Sequence, residues 1–569
     1  LGDFLFLELK KQVESILNDA VVSLGYEIDS LYVEASQHSD VASNVAFRLA
    51  SKYRQNPKDI AEKIGNTAVI GDKSYIGKME VTGPYLNFWA KRDYLDDTVL
   101  KIRKEKENFA SNFSSGDIIL EHTSANPNGP LHVGHIRNSV IGDTLSRVLK
   151  HAGYNVRTQY YVNDIGRQIA IVSWGLKNFG FDESKKSDHA IADLYIKSNQ
   201  ELEKDTSKVK DIDSLMQMVE NGDEDTIKIF DESVRYSLEG TKQTLKTLNV
   251  SHDEFVYESE FIRNGSVSKI VNELKSTGHT EIDNGALVVD LSGYGFEKQL
   301  VIQRSDGTSL YTTRDLAYHE QKSAESDRVI DILGADHKLV SSQLKATMNL
   351  LDKKEPEVVI FEFVSLPEGS MSTRKGKFIT ADDVFDKVIS QAYKEVDKRR
   401  PDMPADFKKE ISDQVGMGAV RYDIISVSPE KSTVFDWKKA LDFEKQGGPY
   451  IQYSHARACN ILKKAETFWN SEDAVNPSVL VEDDEVALIK KMAKFDQMID
   501  QSAKELKPHT VATYARELAD DFNQFYRYVP VNSAEDDEVR NARLGLVDCA
   551  RIMLANTLYI LGISAPESM

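Results

Sequence analysis

At 569 residues the chain is longer than one hydrophobic core serves, so about three to four domains are expected. A hydrophobic content of 41% and a charged content of 28% are those of an ordinary globular protein and exclude disorder throughout. The net charge of −20, from 71 basic against 91 acidic residues, argues against a DNA-binding or non-specific nucleic-acid-binding role. An RNA partner met by local basic surfaces stays open, because charges beyond a Debye length of about 8 Å are largely screened.

Cys459 and Cys549 are far apart and inside helical patterns, which argues against a disulfide framework or a zinc site and for thiols in a reducing cytoplasm. The most apolar run, Leu544 to Ile563, carries Asp548, Arg551 and Asn556, and so reads as a bundle helix rather than a membrane span. No signal peptide is visible and a cytoplasmic location is expected. The sequence starts at Leu1 instead of a methionine, which leaves an upstream segment open.

In chain order, Val13, Ile16, Leu17, Ala20, Val21 and Leu24 mark one face of a first helix that Gly25 can end. A second helix is expected over Asp40–Tyr53. A third begins at Asn56-Pro57, a capping residue followed by proline at the first helical position. Met79 and Val81, then Leu86 and Phe88, alternate as two strands around the Gly83-Pro84 turn. These elements make a small α/β domain over residues 1–110.

The centre of the chain is Glu121 to His135: Glu-His-Thr-Ser-Ala-Asn-Pro-Asn-Gly-Pro-Leu-His-Val-Gly-His. The apolar run before it suits a buried strand, and Ile141, Leu145 and Val148 behind it recur at helical spacing. The turn formers between them aim the next amides at whatever sits at the strand's carboxyl end. His132 and His135 flank Gly134, which lets a nucleotide approach the backbone, and both imidazoles can donate to phosphate oxygens at a helix N-terminus. This is chemistry for the triphosphate of ATP.

Val156–Val162 alternates as a second strand, and Asn163 to Gly166 turn into another helix. Two such units in succession imply a Rossmann-like parallel sheet over residues 111–385. Residues 182–283 turn charged with helical spacing, as in a solvated helical insertion. The sheet is expected to resume at Leu287–Leu291 and Leu300–Gln303. Tyr311 and Asp315 then stand four apart, on one face of a helix. Val329–Leu333 is a buried strand running into Gly334-Ala335-Asp336, where glycine and acid suit close approach to a ribose. Beyond a strand at Val358–Val364, the run Gly369-Ser370-Met371-Ser372-Thr373-Arg374-Lys375-Gly376-Lys377 sets three cations among hydroxyls and glycines, as a phosphate-binding loop does.

Connecting helices are expected over residues 386–436 and an all-α bundle over residues 437–569, with Gly447-Gly448-Pro449 opening one helix. Phe522, Phe525 and Tyr526 read as core in preference to base-stacking platforms.

These segments resemble a known family in order. Glu121–His135 resembles the HIGH motif of class I aminoacyl-tRNA synthetases in its arginyl-tRNA synthetase form, with Ser124-Ala125-Asn126-Pro127 before the histidines. The Gly369–Lys377 run resembles a variant KMSKS loop. The resemblance implies activation of L-arginine with ATP and Mg²⁺ and transfer to tRNA(Arg), by a monomer in which the protein supplies no metal ligands.

The resemblance also implies residue roles. Glu121, Tyr311 and Asp315 would take the guanidinium, and Ser124, Asn126, His132 and Gln343 the rest of the arginine. His132, Gly134, His135, Gly334, Asp336, Met371, Ser372, Arg374 and Lys375 would meet ATP. Ser370 and Thr373 stand at the usual lysine positions, and the substitute position before the HIGH-like motif is Gly129, so Lys375 is chosen on charge and placement. Asn87 and Phe88, in a Gly-Pro-x-x-Asn-Phe segment, would touch the tRNA elbow, while Tyr453 and the terminal Met569 resemble anticodon-domain positions. A non-catalytic tRNA-binding paralogue and another nucleotidyltransferase are the alternatives.

Overall fold

The computed structural model describes residues 5–367, 379–442 and 447–569. Helix α1 (Leu5–Ser23) buries Leu9, Val13, Leu17, Ala20 and Val21 and ends before Gly25, whose φ of +74° suits a glycine. The start of the helix expected over Asp40–Tyr53 is not helical: Asp40 bends and Val41–Ser43 is extended. There β1 (Val33–Ala35) and β2 (Val41–Ser43) build a four-stranded antiparallel sheet, ordered β1-β2-β4-β3, with β3 (Ile76–Thr82) and β4 (Tyr85–Ala90). Val41 pairs with Phe88, and the Asp40 carboxylate accepts from the Ala90 amide at 2.9 Å, so pairing overrides local helix propensity. Helices α1 and α3 (Pro57–Thr67, capped by Asn56) pack on the sheet, α2 (Val45–Tyr53) packs on α3, and α4 (Arg92–Glu105) leads out of it.

The central sheet has five parallel strands. Its first strand, β5 (Asp117–Glu121), is followed by α5 (Val133–Ala152), then β6 (Asn155–Val162) and α6 (Arg167–Phe179). The excursion comprises α7 (Ser187–Lys204), α8 (Val209–Glu220) and α9 (Glu224–Thr247), and it rejoins the sheet at β7 (Glu254–Tyr257). That return comes earlier than the composition implied, since Glu-Phe-Val-Tyr is short and set among charged residues.

After α10 (Glu258–Arg263) and α11 (Ser266–Ser276), the strands β8 (Thr280–Asp283), β9 (Ala286–Val289) and β10 (Leu300–Gln303) form a separate antiparallel sheet. They do not continue the parallel one. The reason is local: Asn284 and Gly285 carry φ of 47° and 83°, a turn that folds β8 back on β9 as a hairpin.

The chain returns through α12 (Tyr311–Glu325), β11 (Arg328–Gly334), α13 (Lys338–Leu350) and β12 (Glu357–Phe361), giving the order β12-β11-β5-β6-β7. Between β5 and β11 the winding reverses, which is where an open α/β sheet leaves a crevice for ligand.

Helices α14 (Ala381–Arg399) and α15 (Ala405–Ile425) lead, past the short α16 (Trp437–Ala440), to the bundle. It contains α17 (Gly448–Ala465), α18 (Asp483–Ala493), α19 (Phe495–Glu505), α20 (His509–Tyr528) and α21 (Asp537–Ile560). Phe522 and Phe525 are buried as expected, whereas Tyr526 is 43% exposed. Among the described residues no helix is long and apolar enough to cross a membrane.

Arg421 of α15 locks these parts together. It is fully buried, pairs with Asp143 of α5, and donates to the Leu561 and Leu248 carbonyls, each at 2.7 Å. Arg421→Met leaves two carbonyls without their donor and Asp143 with Arg147 as its remaining cation, so we expect a loss of about 3 kcal/mol, read as a lower thermal midpoint. An unchanged midpoint would mean that water replaces the guanidinium.

Candidate active site

The strand β5 delivers Glu121 to the crevice, and the loop behind it is held under strain. Thr123 and Ser124 have φ of 70° and 40°, a region that L residues seldom adopt and a β-branched threonine least of all. Side chains hold the loop there. Asn138 of α5 accepts from the Thr123 amide at 2.7 Å and donates to the Ile332 carbonyl of β11 at 2.9 Å, stitching the two central strands. The Ser124 hydroxyl accepts from the Tyr161 amide at 3.0 Å and donates to Glu121 Oε1 at 3.0 Å.

Helix α5 starts at Val133 with His132 as its cap. The His132 ring accepts at Nδ1 from the Gly134 amide at 3.0 Å, and the His135 ring accepts at Nδ1 from the His132 amide at 3.2 Å. Both rings therefore carry their proton on Nε2, and they stack with centroids 3.7 Å apart. Burial lowers the His132 pKa, and burial together with His132 lowers that of His135 to about 3.

The pair is thus neutral near pH 7, two N–H donors at a helix N-terminus with no desolvated cation to repel. Because the folded pKa of His135 lies below the ordinary 6.5, its contribution to stability is full above that value and is lost as pH falls toward about 3. NMR of labelled histidine should show no His135 titration between about pH 8 and about pH 5. A midpoint near 6 would contradict this geometry.

The pair opens on a cleft of about 1450 Å³ lined also by Asn126, Gly129, Lys186 and His189. The flanks of the basic run reach the same place. On one side, buried Arg137 of α5 holds the Glu362 carbonyl at 2.7 Å. On the other, Thr380 bridges to His132 and the Ala381 amide donates to the Leu131 carbonyl at 2.7 Å. Met371, Ser372, Arg374 and Lys375 themselves lie outside the described residues.

Helix α12 presents Tyr311, 58% exposed, at its first position and Asp315 one turn later. Asp315 and Gln343 of α13 line one small crevice. Between Asp315 and Glu121 runs a buried ionic network that the sequence reading missed. His319 Nδ1 faces the Asp315 main-chain carbonyl at 2.8 Å and the Asp315 carboxylate at 3.1 Å, and its Nε2 faces Asp331 of β11 at 2.8 Å. Lys322, 1% exposed, bridges Asp331 at 2.7 Å and Glu121 at 2.8 Å.

Burial and Lys322 press the His319 pKa down, but Asp331 and Asp315 outweigh them and push it up to about 10. Burial raises the Glu121 pKa, partly offset by Lys322. Both Glu121 oxygens nevertheless accept, from Ser124 and Lys322, which is the pattern of a carboxylate. The signal for this network was the spacing of Asp315, His319 and Lys322, four and three apart on one helix face.

Asn126 is exposed, bonded to Asn163 at 2.6 Å and Gln168 at 3.2 Å. Gly334 ends β11, and a Cβ there would stand 2.7 Å from Asp336 Oδ1, so the glycine keeps room beside that mostly exposed carboxylate.

Family comparison agrees with this arrangement over the whole chain. The model described as tRNA synthetases class I (R), catalytic domain, matches residues 98–437, with the arginyl tRNA synthetase N terminal domain at 7–90 and the DALR anticodon binding domain at 451–569. The arginine–tRNA ligase of Methanococcoides burtonii is 66% identical over 99% of this chain and all of its own. The chain belongs to the arginyl-tRNA synthetases. The arginine–tRNA ligase of Methanosarcina acetivorans is 62% identical over the same shares of the two chains. Among solved structures, the arginyl-tRNA synthetase of Thermus thermophilus superposes with a TM-score of 0.86 at 27% identity, covering 99% of this chain and 100% of that one.

The candidate RNA contacts of this synthetase divide. Asn87 lines a groove with Tyr85 and Trp89 but is itself only 8% exposed, whereas Phe88 alternates to the other face and is 1% exposed. Phe88 therefore supports the sheet and offers no surface to RNA, a correction to the sequence reading. Tyr453 is 44% exposed, and Arg457 stands 4.8 Å above its ring and 5.1 Å from that of Tyr526. The Met569 carbonyl accepts from Arg400.

Among the described residues, two groups of acids and histidines come close enough to hold a metal: Glu121, His319 and Asp331, and Asp188, His189 and Asp382. In the first, the Lys322 ammonium already sits among the oxygens. In the second, Lys186 lies 3.3 Å from Asp188 and 2.7 Å from Asp382. Neither set fits a divalent cation.

Proposed function

We infer that the chain activates L-arginine with ATP, forming arginyl-adenylate and releasing pyrophosphate, and then transfers the arginyl group to the 3′ end of its tRNA. The observation that carries this reading is the joining of Glu121 and Asp315 in one ionic network at the sheet's reversal point, with Glu121 on the strand whose loop leads to the neutral histidine pair. A guanidinium offers five donors in a fixed fork, which carboxylates meet in a way that lysine's point charge does not copy.

An oxygen of the arginine carboxylate attacks the α-phosphorus and the bond to the bridging oxygen of pyrophosphate breaks. This in-line exchange needs positioning and charge stabilisation, not a protein nucleophile. In our assignment His132 and His135 donate to the phosphates, Gly134 admits the nucleotide to the backbone, and Gly334 and Asp336 take the ribose. Glu121, Tyr311 and Asp315 hold the guanidinium, and Ser124, Asn126 and Gln343 the α-amino and carboxylate end. Met371, Ser372, Arg374 and above all Lys375 would act on the leaving pyrophosphate. Mg²⁺ would be carried by triphosphate oxygens and water, as is usual for this ion.

Asn87, Tyr453 and Met569 are proposed tRNA contacts, on a monomer working in the cytoplasm. The basic run departs from the family's usual lysine positions at Ser370 and Thr373, and on that ground activation is expected to depend on tRNA. The test is charging of a homologous tRNA with labelled arginine, alongside pyrophosphate exchange with and without that tRNA. Charging with arginine, and exchange only when tRNA is present, is the expected result. Exchange at full rate without tRNA overturns the dependence, and no charging overturns the ligase reading.

A further inference from the structure

Resting on the arginine reading above, we propose that Lys322, His319 and Asp331 are positioning residues that hold Glu121 and Asp315 in place and leave the pocket one positive charge short, so that the substrate's side-chain cation completes it.

The geometry comes first. Asp331 lies on β11, in register with Glu121 of β5, and is 1% exposed. One of its oxygens meets Lys322 at 2.7 Å and the other His319 at 2.8 Å. Lys322 reaches onward to the Glu121 carboxylate, and His319 to Asp315, at its main-chain carbonyl (2.8 Å) and its carboxylate (3.1 Å). One buried acid therefore sets the positions of both, through two arms on a single face of α12. The occupant of the space between Glu121 and Asp331 is an ammonium, so the cluster is an ionic scaffold and not a metal site.

The charge count follows. Among the described residues, Glu121, Asp331 and the partly exposed Asp315 pair with Lys322 and His319, three carboxylates against two cations. His319 counts as a cation because its two acids push its pKa up to about 10. The neighbouring Arg314 and Glu258 pair with each other and cancel. Tyr318 donates its hydroxyl to Gln159 at 2.8 Å and adds no charge. Buried charge left uncompensated is costly, and a single monocation removes the deficit. Citrulline, of nearly the same shape but neutral, leaves it in place.

The scaffold also explains why Lys322 is tolerated next to a guanidinium site. Without it Glu121 and Asp331 would share a proton, as close carboxylates do, and one acceptor for the substrate would be lost.

The experiment is tRNA-supported pyrophosphate exchange on the full-length protein, measuring the KM of arginine and of ATP separately for Lys322→Gln, Lys322→Arg and His319→Gln. Lys322→Gln should raise arginine KM roughly 10²- to 10³-fold, the scale for breaking a buried pair, with ATP KM within about threefold. Lys322→Arg keeps the charge and should recover most of that loss. His319→Gln should raise arginine KM about tenfold because Asp315 loses its support, while the preference for arginine over citrulline is kept or widened, since the pocket's negative excess deepens.

The proposal is overturned if Lys322→Gln leaves arginine KM near wild type, or if Lys322→Arg is as poor as Lys322→Gln with ATP KM raised alongside, the mark of general damage. Should the lysine variants be insoluble, His319→Gln decides alone: an arginine KM within twofold of wild type sinks the scaffold. Wild-type protein in the same assay separates the two readings. If it uses arginine, a failure belongs to the scaffold; if it does not, the arginine reading fails first.

Discussion

Asp315→Asn should lower kcat/KM for arginine by roughly 10²- to 10³-fold, because a buried cation that loses one of its carboxylates costs about 3 to 5 kcal/mol. The substitution keeps the shape, but one acceptor oxygen becomes a donor facing other donors. It also removes a negative charge 3.1 Å from His319, although the Asp315 main-chain carbonyl keeps its 2.8 Å contact with the ring, so the effect reaches Asp331 and the ionic network behind it. ATP KM should stay within about threefold, since the side-chain end of the pocket is remote from the triphosphate. Wild type should reject citrulline, and the variant should reject it less. Unchanged arginine kinetics would show that Asp315 is only a solvated helix residue.

His135→Ala should lower kcat of exchange by roughly 10²- to 10³-fold while arginine KM barely moves, the scale for losing one preorganised donor to developing charge. Two losses combine. The Nε2–H donor goes, and so does the Nδ1 acceptor that holds the His132 amide at 3.2 Å and squares the start of α5. The stacked His132 ring then lacks its support at 3.7 Å. A kcat within threefold of wild type would remove His135 from the chemistry. A KM effect alone would make it a binding contact felt equally in ground and transition states.

Much of this site was legible because its signals are local. Glycine and proline placement located the loop before α5, a spacing of four located Tyr311 and Asp315, and a buried apolar run ending in glycine located β11. What stayed hidden depends on contacts distant in sequence. Glu254–Tyr257 is a strand only because β6 offers it an edge, and Val41–Ser43 only because β4 does. The hairpin of β8 and β9 did carry a local mark in Asn284-Gly285, but its apolar Leu287–Val289 read equally well as a buried parallel strand.

Lys322 and His319 share the face of Asp315, yet nothing in their spacing says that Asp331 and Glu121 wait opposite. Phe88 failed for a simpler reason. Alternation along β4 places it on the face opposite Asn87, so two neighbouring residues cannot both meet the same RNA surface.

The most direct test of the account is pyrophosphate exchange in the presence of tRNA, with each of the twenty amino acids and with citrulline. The account predicts strong exchange with arginine, and with lysine and citrulline at most a small fraction of it, because neither a point charge nor a neutral fork satisfies the carboxylates of Glu121 and Asp315. Comparable exchange with citrulline or lysine, or none with arginine, would contradict it.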